Sequence, residues 1–327
     1  MENVRADRIA VVIPSFKVTR HVLGVIAAIP PEVDRIFVVD DACPEGSGKL
    51  VQSECRDPRV TVVFHERNQG VGGAVMTGYQ AAIADGCLVL VKIDGDGQMD
   101  PARIAEFVRP IVAGEADYTK GNRFFDLERI REMPRMRLVG NAILSFMTKL
   151  SSGYWDLFDP TNGYTAIHAS VADHLPFAQI SSRYFFETDM LFRLNTLRAV
   201  VVDIPMDAQY GDEQSNLKIR RIVGEFLWKH VRNFGKRIFY NYYLRDMSLA
   251  SVELPLGTAL FGFGVTFGGW HWVQALQGGA ATPIGTVMLV ALTSLMGLQL
   301  ILAFMANDIA SVPRRAIHRR FPRHQAP

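Results

Sequence analysis

Residues 91–101 read Val91-Lys92-Ile93-Asp94-Gly95-Asp96-Gly97-Gln98-Met99-Asp100-Pro101, and the change from apolar to acidic within them decides the fold. The preceding run, Cys87-Leu88-Val89-Leu90-Val91, is unbroken and bounded by Gly86, the pattern of a parallel strand covered on both faces. The acids therefore fall at a strand's carboxyl end, the edge of an open α/β sheet where ligands bind. Alternate carboxylates on a turn aim their oxygens into one small volume and suit a hard cation. Alone, the same D-x-D also fits a solvated acidic turn, with Asp100-Pro101 opening the next helix.

Outward from this stretch, strands and helices alternate. Ile9 to Ile13 is a short apolar run stopped by Pro14, and Arg35 to Val39 repeats the design before Asp40-Asp41. Helical spacing covers His21 to Ile29, Gly46 to Glu54 and Gly70 to Ala84, with strands at Val60 to Phe64 and Cys87 to Ile93. Such alternation over the first 120 residues predicts a mostly parallel α/β sheet with right-handed crossovers. Beyond Lys120 it loosens into mixed α/β, with helices at Met136 to Leu150 and Phe185 to Leu194 and strands at Tyr164 to His168 and Ala199 to Ile204.

At 327 residues, 49% hydrophobic and 21% charged, the chain is composed as a folded protein. Its net charge of +2 averages two unlike parts, because no Asp, Glu, Lys or Arg occurs between Glu253 and Asp308. Leu254 to Gln274 and Ile284 to Ala306 are each long enough to cross ~30 Å of hydrocarbon. They predict a transmembrane hairpin joined by the uncharged residues 276–283. Arg314, Arg315, Arg319, Arg320 and Arg323 in the tail predict that both termini and the N-terminal α/β domain face the cytoplasm. Met1-Glu2-Asn3-Val4-Arg5 and the short run after it lack the pattern of an export signal, so residues 1 to 250 are expected in the cytosol. Cys43, Cys55 and Cys87 have neither the parity of a disulfide framework nor zinc-site spacing.

Between Asn216 and Met247, eight Lys and Arg residues, among them Lys218 and Arg221, face only Glu225 and Asp246 and alternate with aromatics. Basic residues interleaved with aromatics also suit nucleic acid, but adjacency to the spans favours amphipathic interfacial helices on membrane lipid, and no nucleic-acid partner is expected. The expected organisation is a catalytic domain over 1–215, interfacial helices over 216–250, the hairpin over 251–307 and a basic cytoplasmic tail over 308–327.

Several chemistries are excluded by the sequence. No G-x-x-x-x-G-K-[ST] occurs, Val75 stands where G-x-G-x-x-G needs glycine, and Met99 and Ala105 break an EF-hand loop. What remains is acids at strand ends, Asp40 and Asp41 after one strand and Asp94 and Asp96 after another. One pair suits a nucleoside and the other a divalent ion on its diphosphate.

Val12-Ile13-Pro14, Val38-Val39-Asp40-Asp41, Asn68-Gln69-Gly70-Val71-Gly72, Asp94-Gly95-Asp96-Gly97-Gln98 and Gly121-Asn122-Arg123-Phe124 occur in an order that resembles family 2 glycosyltransferases of GT-A fold. The resemblance covers roughly residues 8–215. Asp159-Pro160-Thr161-Asn162-Gly163-Tyr164 and the hairpin resemble the dolichol-phosphate mannose synthase and bacterial polyprenyl-phosphate glycosyltransferase branch. It implies a nucleotide-sugar donor, UDP- or GDP-linked, and a polyprenyl phosphate acceptor. Asp94, Asp96 and Gln98 would bind Mg²⁺ or Mn²⁺, Asp41 would contact the nucleoside, and Arg123 and Arg137 would meet the diphosphate or acceptor phosphate. Pro14, Asp40, Asn68, Gly72, Lys218 and Arg221 complete the expected substrate-binding set. Two departures stand out: Pro14-Ser15-Phe16-Lys17 where many relatives carry Asn-Glu, and Ala42-Cys43-Pro44-Glu45-Gly46 in place of Gly-Ser-Pro-Asp-Gly.

A phosphate acceptor is already ionised and needs no general base, and in-line attack inverts the anomeric carbon. Transfer to a saccharide hydroxyl needs one, and Glu187 and Asp189 are then the candidates; their plainer reading is an exposed helix N-terminus. The Q-x-x-R-W pattern of processive synthases is absent. A non-catalytic nucleotide-binding membrane scaffold is the third reading. Gly262, Gly264, Gly268 and Gly269 would permit close helix contacts in a homo-oligomer.

Overall fold

The structure, a computed structural model, describes residues 8–125, 135–206, 219–279 and 281–321. The chain divides into two compact units, residues 1–234 with 313–327, and residues 235–312.

The first unit is built on one sheet of β1 (Ile9–Ser15), β2 (Arg35–Asp40), β3 (Val60–Phe64), β4 (Val89–Lys92), β5 (Tyr118–Asn122), β6 (Thr165–His168) and β7 (Val201–Pro205), in the order β3-β2-β1-β4-β6-β5-β7. All neighbours pair in parallel except β6, which runs antiparallel to both β4 and β5. Valine and isoleucine fill β1, β2 and β4 because their branched side chains fit a pleated surface covered on both sides. Val11, Ile13, Val38 and Val91 are completely buried.

Helices α1 (Val22–Ala27), α2 (Ser47–Glu54), α3 (Val71–Ala84) and α4 (Ile104–Val112) connect the parallel strands. They are followed by α5 (Arg135–Ser152), α6 (Ala169–Asp173), α7 (Phe186–Leu197) and α8 (Ile219–Phe239). The strands expected from alternation are present. Strand β5 was not expected, because Tyr-Thr-Lys-Gly-Asn carries no apolar run, yet all five residues are buried.

Residues 313–321, expected as a basic tail, pack on this unit. The fully buried Asp117 accepts the backbone N–H groups of Val200 at 2.8 Å, Ile317 at 3.0 Å and His318 at 2.9 Å, and lies 2.7 Å from His318 Nδ1. The His318 ring stacks on His168 with centroids 4.4 Å apart, and Phe321 stacks on His174. Burial raises the Asp117 carboxyl, but hydrogen bonds from His318, Val200 and Ile317 outweigh it and hold it below its ordinary value.

The second unit holds a pair of antiparallel apolar helices, α9 (Ala250–Gly278) and α10 (Ile284–Ala310). Both are long and apolar enough to cross a membrane. Gly264 packs on Ser294 and Gly268 on Val290, so two of the four glycines expected at an oligomer contact serve the hairpin itself, while Gly262 and Gly269 have open space. At its base Asp308 accepts both Nη atoms of Arg237, at 2.6 and 2.9 Å, and the Tyr242 hydroxyl at 2.7 Å, all buried.

Removing one member of such a buried pair leaves an uncompensated charge. Asp308→Ala is expected to cost about 3–5 kcal/mol, and Arg237→Met with Asp308→Leu to recover much of it, read as denaturation midpoints in detergent. Asp117→Ala orphans buried amides at about 1–3 kcal/mol each and is expected to release residues 313–321, read as faster trypsin cleavage at Arg319 and Arg320.

Candidate active site

Parallel pairing of β4 with β1, and of β1 with β2, brings the carboxyl ends of all three strands to one edge. Asp94 and Asp96 follow β4 there. The turn is closed by Gln98 N–H donating to Asp96 Oδ1 at 3.0 Å and Asp94 N–H pointing to Met99 Sδ at 3.3 Å. Both carboxylates are partly exposed.

Behind the turn stands Lys92, whose side chain is 1% exposed. It lies 3.0 Å from Asp94 Oδ1 and 3.5 Å from Glu187 Oε1. Burial alone would lower this lysine, but the Asp94 and Glu187 carboxylates more than offset it and raise it, so the group stays cationic. Glu187 shows the opposite balance: burial raises its carboxyl and Lys92 pulls it back only in part. Gly163 closes the cluster, since a Cβ there would collide with Lys92 Nζ and Asp94 Oδ2. Glycine at that position leaves room for the loop 159–164 beside the acidic turn.

The same loop holds Arg123. Its Nε and Nη2 fork onto Asp159 Oδ2 and Oδ1 at 2.7 and 2.8 Å, and its N–H donates to Oδ2 at 3.1 Å. Asp159 is buried with φ 47°. Burial raises its carboxyl, but the Arg123 guanidinium outweighs this and lowers it. Asp203 on β7 secures the loop's start, accepting Lys120 Nζ, Asn122 Nδ2 and Phe158 N–H.

The other expected residues are divided by the geometry. Pro14 lies near the end of β1 beside Val39. Asp40 is buried and accepts the N–H of Cys43 at 2.7 Å and of Gly48 at 2.6 Å, which shapes the loop after β2. Asp41, also buried, accepts Gln69 N–H at 2.7 Å and Gly70 N–H at 2.8 Å and meets His65 Nδ1 at 2.8 Å. Asn68 donates to the Asp41 carbonyl. These carboxylates are turned to backbone amides, whereas the sequence reading directed Asp41 at a nucleoside. Gly72 sits against the Phe186 ring and Ser181 carbonyl, so it brings α3 close to α7.

Glu187 and Asp189 both fall in the first turn of α7, and neither is exposed. Glu187 joins the Lys92 cluster. Asp189 points elsewhere, accepting Ser181 N–H and Asn233 Nδ2, each at 2.8 Å, in a fully buried position. Its role there is to fasten the 181–186 loop to α8. Arg137 lies in α5 and Arg221 in α8 with side chains outside the described residues, and Lys218 lies outside them altogether. Lys92 and Asp159 were missed, although a lysine inside the apolar run just before Asp94 was a visible signal, since an unpaired buried ammonium is prohibitive.

Among the described residues no three His, Cys, Asp or Glu gather to hold a metal. Two partly exposed carboxylates at a strand end nevertheless fit Mg²⁺ or Mn²⁺, since such ions take one or two carboxylates and complete their shell with substrate phosphates and water.

Residues 11–175 match the family model Glycosyl transferase family 2. The chain is 29% identical over 223 residues to the undecaprenyl-phosphate mannosyltransferase of Micrococcus luteus, covering 67% of this chain and 90% of that one. It is 27% identical to the UDP-N-acetylglucosamine–dolichyl-phosphate N-acetylglucosaminyltransferase of Methanococcus voltae, covering 63% and 88%. Among solved structures, glucosyl-3-phosphoglycerate synthase from Mycobacterium tuberculosis in complex with UDP superposes with a TM-score of 0.53 at 17% identity, covering 71% of this chain and 80% of that one. The same enzyme in complex with Mn²⁺, UDP-glucose and phosphoglyceric acid gives 0.52. The sheet and its acidic edge are therefore a GT-A fold, and with residues 11–175 matching its model the chain belongs to glycosyl transferase family 2 and is a glycosyltransferase.

Proposed function

We propose that the protein transfers a sugar from a nucleoside diphosphate sugar to the phosphate of a membrane-borne polyprenol such as undecaprenyl phosphate. The observation that carries this reading is the pairing of Asp94 and Asp96 at the carboxyl edge of β4 in a chain that also has two apolar helices of membrane-crossing length. The names of the relatives from Micrococcus luteus and Methanococcus voltae support it.

In this reading Asp94, Asp96 and Gln98 would hold Mg²⁺ or Mn²⁺, which offsets charge on the departing diphosphate. Lys92 fixes the Asp94 carboxylate from behind. Asp40 and Asp41 act through the loops they hold, and Pro14, Asn68 and Gly72 border the donor beside them. Arg123, aligned by Asp159, and Arg137 present planar guanidinium groups to phosphate oxygens. Lys218 and Arg221 draw α8 to anionic headgroups, with the catalytic unit and both termini on the cytoplasmic side. An acceptor phosphate oxygen forms its bond to the anomeric carbon as the bond from that carbon to the diphosphate oxygen breaks. The nucleoside diphosphate leaves with the electron pair, no proton has to move, and the configuration inverts.

A second reading, transfer to a saccharide hydroxyl, is favoured by one observation: Glu187, with its raised carboxyl, lies beside Lys92 and in the same cluster as Asp94. As a base it works deprotonated, so the rate would climb as pH rises through its raised value and vanish below it.

The decisive experiment incubates the purified chain with Mg²⁺ or Mn²⁺ and UDP- or GDP-sugars, with and without undecaprenyl phosphate. Nucleotide release that requires the lipid, falls at least ~10²-fold in Asp96→Ala and yields an inverted anomer by NMR is expected; a retained anomer would overturn the in-line step. Glu187→Gln separates the two acceptors. It is expected to keep lipid transfer within about 10-fold, whereas a base for a hydroxyl acceptor would cost ~10²–10⁴-fold.

A further inference from the structure

A carboxylate can give a cation one oxygen or two. Ca²⁺ takes about 6–8 oxygen ligands at about 2.3–2.6 Å and tolerates the narrow bite of a two-oxygen carboxylate. Mg²⁺ demands a near-ideal octahedron at about 2.0–2.1 Å, which that bite distorts. What the protein does with the second oxygen of each aspartate therefore decides which ion an acidic turn prefers.

At the end of β4 one oxygen of each aspartate is already engaged. Lys92 Nζ lies 3.0 Å from Asp94 Oδ1, and Asp96 Oδ1 accepts the Gln98 N–H at 3.0 Å. Gln98 is partly exposed, so its N–H can take water in place of Asp96. The buried ammonium has no such substitute. Lys92 pairs in register with Val12 of β1 on one side and Thr165 of β6 on the other, so its backbone cannot withdraw. Its side chain is 1% exposed, whereas that of Asp94 is 30% exposed, and Gly163 closes over Nζ from the loop side. The second anion, Glu187 Oε1, is more distant at 3.5 Å. Taking Asp94 Oδ1 away for a metal would leave a desolvated ammonium with that one distant partner, and the cost falls on the two-oxygen mode alone.

We propose that Lys92 sets the ion selectivity of the site: by keeping Asp94 Oδ1 for itself, it restricts Asp94 to one-oxygen binding of a divalent cation and so favours Mg²⁺ and Mn²⁺ over Ca²⁺. The inference rests on the metal reading of Asp94 and Asp96 given above and adds the residue that chooses the ion. Lys92 is a positioning residue in this account, and Glu187 serves it by anchoring the ammonium. Lys92 and Glu187 carry one charge of each sign, so removing both leaves the net charge beside Asp94 unchanged. A change in ion preference then reports the release of Asp94 Oδ1 and not a general change in field.

The test uses the full chain in detergent with UDP or GDP, each measured against the same nucleotide without protein. Unbound Mn²⁺ is read from its electron paramagnetic resonance signal, and Ca²⁺ is titrated in as competitor. In the unaltered protein Ca²⁺ is expected to bind at least ~10-fold more weakly than Mn²⁺; equal affinities would overturn the proposal without any variant. Glu187→Gln leaves the ammonium on Asp94 and is expected to keep that ratio. Lys92→Met combined with Glu187→Gln frees Asp94 Oδ1 and is expected to narrow the preference by ~10-fold or more, with folding checked by circular dichroism. A ratio unchanged in the double variant, or shifted as far by Glu187→Gln alone, would overturn the role of Lys92 and leave the metal reading in place. Asp94→Asn tests that reading separately. Mn²⁺ binding that it does not weaken, or no Mn²⁺ binding with either nucleotide, would remove both.

Discussion

An ammonium group cannot be buried without anions, and Lys92 imposes that condition on the centre of the molecule. Its side chain leaves β4 inside the covered sheet, so Asp94 and Glu187 must come to it. Asp94 brings the acidic turn, Glu187 the start of α7, and Gly163 lets the loop from residue 159 close over them. One charge thereby assembles three segments that are remote in sequence. The cost of orphaning that charge makes the arrangement of the site a condition of folding as well as of function.

Buried aspartates repeat this logic around the sheet. Asp40 and Asp41 tie down the loops after β2 and β3, Asp159 orients Arg123, Asp203 anchors the strand ends beside it, and Asp117 gathers residues 317 and 318. Each carboxylate accepts several hydrogen bonds, and each therefore replaces a turn that backbone groups alone would leave unsatisfied. The acids that remain partly open, Asp94 and Asp96, stand out against this background, which is why the candidate chemistry concentrates at the end of β4.

Much of this was legible beforehand. Alternating apolar runs and helical spacing located the parallel strands, because strand and helix periods are local properties of the chain. The uncharged stretch between Glu253 and Asp308 located both apolar helices for the same reason. Strand β5 was not legible, since its lysine and asparagine are buried only by virtue of Asp203 on a strand 83 residues away. Nor could Asp189 be told from Glu187: they sit two positions apart on one helix, and only their neighbours differ.

The sequence by itself determined strands β1 to β4 with the helices between them, the acidic edge and the apolar hairpin, because each is written in composition and period over a few consecutive residues. Tertiary structure alone decided which acids are open and which are consumed by backbone amides, and that Lys92 stands behind Asp94. Those outcomes depend on desolvation, which is set by whatever a distant segment places against a side chain, and no local pattern carries that information.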